Sequence, residues 1–133
     1  MGIALKAANP ATHIVGVQTP PASSMYESFR AGHVVLAGVG QSSIADGLYG
    51  GTDPLGFEWA RAVASEIRLV DEGELPTAIQ GLYEQHGVVA EPSGAVGVAL
   101  VLSGALPLRG PAVVVISGGN IDPRPLAAFL AAS

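Results

Sequence analysis

The chain has 133 residues, enough for one domain with a single hydrophobic core, and we expect residues 1–133 to form that domain. Its net charge of −5 argues against nucleic acid or an anionic membrane surface as the main partner, and the absence of cysteine excludes disulfides and thiolate metal sites. Hydrophobic residues make up 49% and charged residues only 13% of the chain, a composition that suits a sheet buried on both faces or a surface that meets a partner.

The N-terminal part of the sequence predicts two helices and two strands. A short helix opens the chain and ends at an Asn-Pro pair, and residues 13–18 predict a buried strand. In the next helix, Ser24 and Glu27 have the spacing of a capping box, in which both side chains bond free N–H groups of the first turn. Gly32 closes this helix, and the apolar run at 33–37 predicts a second strand.

The glycine- and serine-rich stretch AGVGQSS at residues 37–43 follows this possible strand. Its spacing G-x-G-x-x-S leaves a nucleotide-binding loop open as one interpretation. The third small residue is a serine, and the residues beyond it do not predict a helix. A plain flexible connection is therefore the favoured interpretation.

The middle of the chain predicts two helices separated by a strand. Asp53 and Pro54 begin the first, with an acidic cap and a proline at the first helical position. One face of this helix is apolar, formed by Leu55, Trp59, Ala62 and Val63. A strand follows at 66–70. The second helix begins near Gly73, because Pro76 is awkward inside a helix, and its apolar residues at Leu75, Ala78, Ile79, Leu82 and Tyr83 share one face.

The C-terminal part continues the alternation of helices and apolar runs. It contains an apolar run at 87–91, a helix rich in small residues at 92–104, a strand at 111–117 and a terminal helix at 124–132. Continuously apolar strands between helices predict an α/β fold, a three-layer sandwich with a mostly parallel sheet. Ligands of such sheets bind at the carboxyl ends of the strands, which here are Gln18, Asp71, Glu91 and Ser117.

The stretch VVVISGGN is the most informative of these strand ends. Ser117 follows four β-branched residues and precedes Gly118 and Gly119, which cost folding entropy unless something approaches the backbone closely. The stretch is either a tight turn or a hydroxyl that faces a flat ligand. Glu91 and Asp46 are ambiguous in the same way, because either carboxylate could serve a helix N-terminus or turn, or could line a ligand pocket.

Five stretches, taken in order, resemble the serine/threonine dehydratases, and serine racemase is a close relative of this group. They are GIALKAANPATHIVGVQ, ASSMYESFRAG, IADGL, VVAEPSGAVGVALVL and VVVISGGNID. The family consists of pyridoxal-phosphate enzymes of the tryptophan-synthase-β fold type, fold type II. The resemblance runs from Gly2 to Asp122 and implies the C-terminal part of the large catalytic domain. It implies β-elimination of L-threonine or L-serine to a 2-oxo acid and ammonia.

The resemblance also implies roles for particular residues around pyridoxal phosphate. Ser117 matches the serine that hydrogen-bonds the pyridine nitrogen, and Gly118 lets the ring lie against the backbone. Glu91, Asp46 and Gly47 match positions that line the pocket. Some relatives bind a divalent cation at positions that match Gln18, Ala22 and Ser24 here. Both carboxylates of that site are missing from this sequence, so we expect no metal site.

The resemblance leaves the catalytic machinery incomplete. The Schiff-base lysine and the glycine-rich phosphate loop of the family precede the matched region, and Lys6, the single lysine of this chain, matches neither. We therefore assign no catalytic residue here and expect an inactive, truncated chain that does not hold the cofactor covalently. We expect its partners to be a missing N-terminal half or a second copy, through exposed apolar faces.

Several alternatives stay open at this point. The chain could be a non-catalytic α/β module of the same ancestry that binds a small molecule or a protein. The motifs do not distinguish threonine from serine, elimination from racemisation, or one oligomeric state from another. We recognise no secretory signal and no uninterrupted apolar span, so we expect a cytoplasmic protein.

Overall fold

Six α-helices and two short strands form the part of the chain that the computed structural model describes, residues 1–37 and 41–131. In chain order they are α1 (Gly2–Ala8), β1 (Val15–Gln18), α2 (Ser24–Ala31), α3 (Pro54–Val63), β2 (Glu66–Leu69), α4 (Leu75–His86), α5 (Pro92–Leu102) and α6 (Pro123–Leu130). Single 3-10 turns lie at Pro20–Ala22, Asp46–Leu48 and Glu72–Glu74. Each predicted helix is confirmed. The centre of the suggested nucleotide loop, residues 38–40, lies outside the described residues.

The two strands pair in parallel, as the alternation of helices and strands predicts. Val15 is opposite Glu66 and Gln18 is opposite Leu69, and the connection between the strands contains α2 and α3. The N–H of Val70 donates to the carbonyl of Gln18 at 3.0 Å and extends the pairing by one residue. The predicted α/β class is therefore confirmed, and both strands end at the same edge.

Three predicted strands are absent from the described residues: 33–37, 87–91 and 111–117. A strand needs a neighbour that receives its N–H and C=O groups. At 33–37 a side chain takes this role, because the N–H of Val35 donates to Ser28 Oγ at 2.9 Å. The segment at 111–117 is not buried, since Val113 is 94% and Val115 is 51% exposed. Its β-branched composition predicts a strand correctly only where another strand lies beside it.

Two local predictions for the first half are wrong, and two are confirmed. Helix α2 has Ser23 at its N-cap position, so Ser24 lies inside the helix and the capping box is not formed. Gly32 ends α2 in the left-handed conformation, with φ of 76°. Asp53 caps α3 by accepting from the N–H of Gly56 at 2.9 Å. The predicted core face of α3 is exposed, because the buried side chain is Phe57.

The main hydrophobic core lies between α4, α5 and α6. The predicted buried face of α4 is confirmed except for Tyr83, which is exposed. The residues that α4 and α5 bury there are Leu75, Ala78, Ile79, Leu82, Ala95, Val96, Ala99 and Leu100. Small residues on α5 let the helices approach closely, and Leu126 and Phe129 of α6 pack against the cluster. This core also holds Ala45 and Val70 and thereby anchors the loops at the strand ends.

Apolar side chains remain on the surface in three places. Helix α1 exposes Ile3 and Leu5, α3 exposes Leu55 and Trp59, and the segment at 111–117 exposes three branched residues. Exposed apolar groups at this density are typical of surfaces that meet another chain or segment. Within residues 1–37 and 41–131, the helices are all too short or too polar to cross a membrane.

A small ionic cluster joins the two strands at their N-terminal ends. Glu66 Oε1 lies 3.0 Å from His13 Nε2, and Glu66 Oε2 accepts from Arg68 Nε at 2.6 Å. The hydrogen bond with His13, and then that with Arg68, lowers the pKa of Glu66 below its usual value of 4.5. Because the folded pKa is the lower one, this contribution is present above pH 4.5 and is lost as the pH falls through the lowered pKa.

We therefore predict that Glu66→Gln lowers the free energy of unfolding at pH 7 by about 0.5 kcal/mol, since the cluster is largely exposed to water. The difference from the wild-type chain should shrink towards zero below the lowered pKa. Urea unfolding of both chains at pH 7 and pH 3 measures this. The exposed Glu58 on α3 provides the control substitution, Glu58→Gln. A difference that is the same at both pH values would contradict the prediction.

Candidate active site

The first turn of α5 lies directly on the turn formed by Ser117, Gly118 and Gly119. Glu91 precedes a proline and is extended, with φ of −78° and ψ of 159°, which places it at the N-cap of α5. Its N–H donates to the Gly118 carbonyl at 3.1 Å. A Cβ on Gly94 would overlap the carbonyl oxygen of Ser117. The close approach of helix and turn therefore requires glycine at position 94.

The glycine pair after Ser117 is required for two different reasons. Gly118 has φ of +88°, which side chains with a Cβ rarely adopt, and a Cβ there would overlap Glu91 Oε1. The Glu91 carboxylate therefore lies over Gly118. At Gly119 a Cβ would lie 2.8 Å from the Val89 carbonyl oxygen, so the two chain segments pass side by side.

A third segment, the 3-10 turn Asp46–Leu48, lies against the same helix start. A Cβ on Gly47 would lie 2.9 Å from Ser93 Oγ and 3.9 Å from Glu91 Oε1. The Ser93 hydroxyl is buried and has no hydrogen-bond partner among the described residues. The structure thus brings together Gly47, Glu91, Ser117 and Gly118, four of the five residues assigned from the sequence. We call this group, with Ser93 and Gly94, the α5 cluster.

The fifth residue, Asp46, precedes Gly47 and has an exposed side chain. Its carbonyl accepts from the N–H of Tyr49 at 2.9 Å, which closes the 3-10 turn. The hydroxyl-bearing residue Ser117 is also exposed. Both polar side chains therefore border the open side of the α5 cluster, where a ligand can reach them.

The other two predicted strand ends are engaged in local structure. Gln18 Oε1 accepts from the N–H of Tyr26 at 2.9 Å, and Asp71 Oδ1 accepts from the N–H of Gly73 at 2.7 Å. Ser24 Oγ, at one position of the relatives' cation site, accepts from Thr52 Oγ1 at 3.1 Å. Over residues 1–37 and 41–131, no group of three or more His, Cys, Asp or Glu side chains is arranged to hold a metal ion.

Ser93, Gly94 and Glu72 contribute to the geometry but were not singled out from the sequence. The signal for Gly94 is present, because a glycine in the first turn of a helix that also contains Gly97 favours close backbone packing. A Cβ on Gly97 would lie 2.8 Å from Val114 Cγ1, so both glycines face the segment at 111–117. The roles of Ser93 and Glu72 depend on residues distant in sequence, and no local pattern indicates them.

Lys6 is placed on α1, a helix that packs against α3. Its Nζ donates to the Pro10 carbonyl at 3.2 Å, so the ammonium is bound within its own segment. The α5 cluster is built from the 3-10 turn Asp46–Leu48, the start of α5 and the turn at 117–119. Its polar groups are therefore a carboxylate, hydroxyls and backbone groups.

A parallel strand pair flanked by helices, with a glycine-lined cluster at a helix start, defines an α/β protein that receives a small flat ligand. The family profile described as "Pyridoxal-phosphate dependent enzyme" matches residues 1–118. The chain belongs to this family of pyridoxal-phosphate-dependent enzymes.

Comparisons with single proteins agree with this assignment. The chain is 42% identical over 124 residues to the L-threonine ammonia-lyase of Thermotoga maritima, covering 92% of this chain and 30% of the relative. It is 36% identical over 123 residues to the biosynthetic L-threonine dehydratase of Bacillus subtilis, covering 92% and 29%. The chain thus spans about a third of the length of the curated relatives it matches.

Solved structures give the same result for the fold. The threonine deaminase of the bacterium abbreviated T.th. superimposes with a TM-score of 0.82 at 31% identity, covering 91% of this chain and 44% of that one. Maize serine racemase superimposes with a TM-score of 0.83 at 28% identity, covering 96% and 42%. The predicted fold class, part of the large domain of a fold-type II enzyme, is confirmed.

The α5 cluster is compatible with the cofactor of this family. Glycine at 118 leaves the backbone bare where a flat ring can lie, and the exposed Ser117 can supply a hydroxyl to the ring edge. The Glu91 carboxylate is fixed above this backbone through the N-cap of α5. When bound, pyridoxal phosphate supplies an electron-withdrawing ring that stabilises negative charge at the α-carbon of an amino acid.

Proposed function

We propose that the chain forms the ring-binding part of a threonine/serine dehydratase, an ammonia-lyase. The whole enzyme would convert L-threonine or L-serine to a 2-oxo acid and ammonia by β-elimination. The observation that carries this proposal is the contact of Glu91 and Gly94 with the Ser117–Gly118 turn. The printed names of relatives that match over about nine-tenths of this chain support the substrate class.

In this proposal the residues of the α5 cluster bind and orient the ring. The Ser117 hydroxyl bonds the pyridine nitrogen as a neutral partner, so the nitrogen is not held protonated and the ring withdraws electrons more mildly. A milder sink favours early loss of the β-hydroxyl over transamination. Gly118 and Gly47 keep the approach to the backbone open, and Glu91 and Asp46 order the polar border of the pocket.

The proposal assigns proton transfer at the substrate α-carbon to a lysine outside this chain. Lys6 is bound to Pro10 on α1 and is not part of the α5 cluster. The exposed apolar residues on α1, α3 and the segment at 111–117 offer surfaces for the remainder of such an enzyme or for a second copy. The chain then corresponds to the C-terminal part of a large domain. A cytoplasmic location stays a prediction.

We predict that the purified chain binds pyridoxal phosphate reversibly, without a covalent adduct, and that Ser117→Ala weakens this binding about tenfold, the loss of one hydrogen bond to the ring. An absorbance titration measures the affinity, and borohydride reduction followed by intact-mass analysis detects any adduct. Ser103→Ala is the matched control, because Ser103 lies at the opposite end of α5 and donates to the Leu100 carbonyl. The control should bind like the wild-type chain.

Two results would contradict the proposal. Equal affinity of the wild-type chain and Ser117→Ala would remove Ser117 from the ring site. A stoichiometric adduct at Lys6 would mean that the cofactor binds beside α1 instead. The isolated chain should release no ammonia from L-threonine, and addition of the N-terminal part of the Thermotoga maritima relative should restore it. Binding without restoration would favour a non-catalytic module of the same ancestry.

A further inference from the structure

A carboxylate outside the α5 cluster holds the loop that leads into it. Glu72 is the first residue of the 3-10 turn Glu72–Glu74, directly after β2. Its carboxylate accepts from the Ser43 hydroxyl and, at 3.2 Å, from the N–H of Ile44. The two bonds join segments that are 28 and 29 residues apart in sequence.

The position of Glu72 is itself fixed by the chain around it. Asp71 accepts from the N–H of Gly73 through its side chain and from the N–H of Glu74 through its carbonyl. These bonds close the 3-10 turn. Leu75, next in sequence, is fully buried in the core and anchors the turn to α4. The Glu72 carboxylate therefore projects from a rigid turn, not from a mobile loop.

The loop that Glu72 holds continues without a break into the α5 cluster. Ser43 Oγ also accepts from the N–H of Ala45 at 3.0 Å, and Ala45 is fully buried in the core. The Ala45 carbonyl accepts from the N–H of Leu48, which closes the 3-10 turn around Gly47. Two residues thus separate the bonded Ile44 from Gly47, too few for Gly47 to move independently.

We propose that Glu72 is a positioning residue that keeps Gly47 against Ser93 and Glu91 through its bonds to Ser43 and Ile44. Hydrogen bonds to an ionised carboxylate are stronger than neutral ones, and both donors here are held by one side chain. In the part of the chain that is described, no salt bridge involves Glu72, so these two donors are its stabilising contacts. The link to cofactor binding rests on the proposed function, whereas the link to Gly47 does not.

The test compares Glu72→Ala with Glu72→Gln and with Glu74→Ala in the 133-residue chain. Glu74 is exposed, lies two residues away and makes no side-chain cap bond, so it is the matched control. Amide hydrogen exchange is read at Ile44, Ala45 and Leu48, and NMR chemical shifts are read at Gly47 and Ser93. Pyridoxal-phosphate titration is the separate readout of cofactor binding.

In Glu72→Ala we expect exchange at Ile44 and Ala45 to be about 10- to 100-fold faster, with unchanged exchange at Ile79 in the core. The Gly47 and Ser93 shifts should move, and Glu72→Gln, which keeps one acceptor oxygen, should be intermediate. Glu74→Ala should match the wild-type chain. Unchanged exchange and shifts in Glu72→Ala would overturn the inference, whatever the cofactor does. If these readouts change and the wild-type chain binds no pyridoxal phosphate, the proposed function fails and the positioning role stands.

Discussion

Replacement of Gly94 by alanine is expected to separate α5 from the Ser117–Gly119 turn and to lower the free energy of unfolding by about 3 kcal/mol. The added Cβ would overlap the carbonyl oxygen of Ser117 and come within 2.9 Å of the Gly118 carbonyl oxygen. Both are backbone atoms, so no side-chain rotation relieves the overlap. The helix start or the turn must shift, and the bond from Glu91 N–H to the Gly118 carbonyl is the first to lengthen.

The matched control is the same substitution at Gly81 on α4. A Cβ there meets nothing closer than Gln85 Nε2 at 3.9 Å. Because alanine is the better helix former, Gly81→Ala should raise the free energy of unfolding by about 0.5 to 1 kcal/mol. Urea unfolding of the two variants should therefore give opposite signs. A stabilising effect of Gly94→Ala would mean that α5 and the turn do not touch.

The Gly94 substitution also has a consequence for the α5 cluster. If the turn shifts, Gly118 no longer lies beneath the Glu91 carboxylate, and the proposed ring site opens. We expect pyridoxal-phosphate affinity to fall together with protection of the Glu91 amide from hydrogen exchange. Lost affinity with full amide protection would place the ring elsewhere.

Replacement of Ile79 by alanine is expected to lower the free energy of unfolding by about 3 to 4 kcal/mol. Ile79 is fully buried in the middle of α4, within the cluster that α4 shares with α5. Truncation leaves a cavity that rigid helices on both sides cannot fill. Urea or thermal unfolding of the chain measures the loss.

Thr77→Ala is the control for this second prediction. Thr77 is on the same helix, is also β-branched and is exposed. Its truncation should change the free energy of unfolding by less than about 0.5 kcal/mol. Similar effects at positions 77 and 79 would mean that the core does not lie between α4 and α5. The Ile79 substitution should also weaken cofactor binding, because this core fixes the position of α5.

Local signals in the sequence determined the helices and the family. The capping Asp53 with Pro54, the closing Gly32 and the period of α4 each act over a few residues, and the structure agrees with all three. The family follows from EPSGAVGVA and SGGNID in their order and spacing, and the comparisons confirm it. The roles of Ser117, Glu91 and Asp46 at the cofactor stay predictions.

Only the tertiary structure decided which apolar segments become strands and how the site is held together. The run at 111–117 has strand composition, yet no neighbour in the described residues pairs with it, because pairing depends on a second segment and not on propensity. The overlap that requires Gly94 and the clamp of Glu72 on Ser43 join segments distant in sequence. Such contacts are set by how the helices pack, and a local pattern carries no information about them.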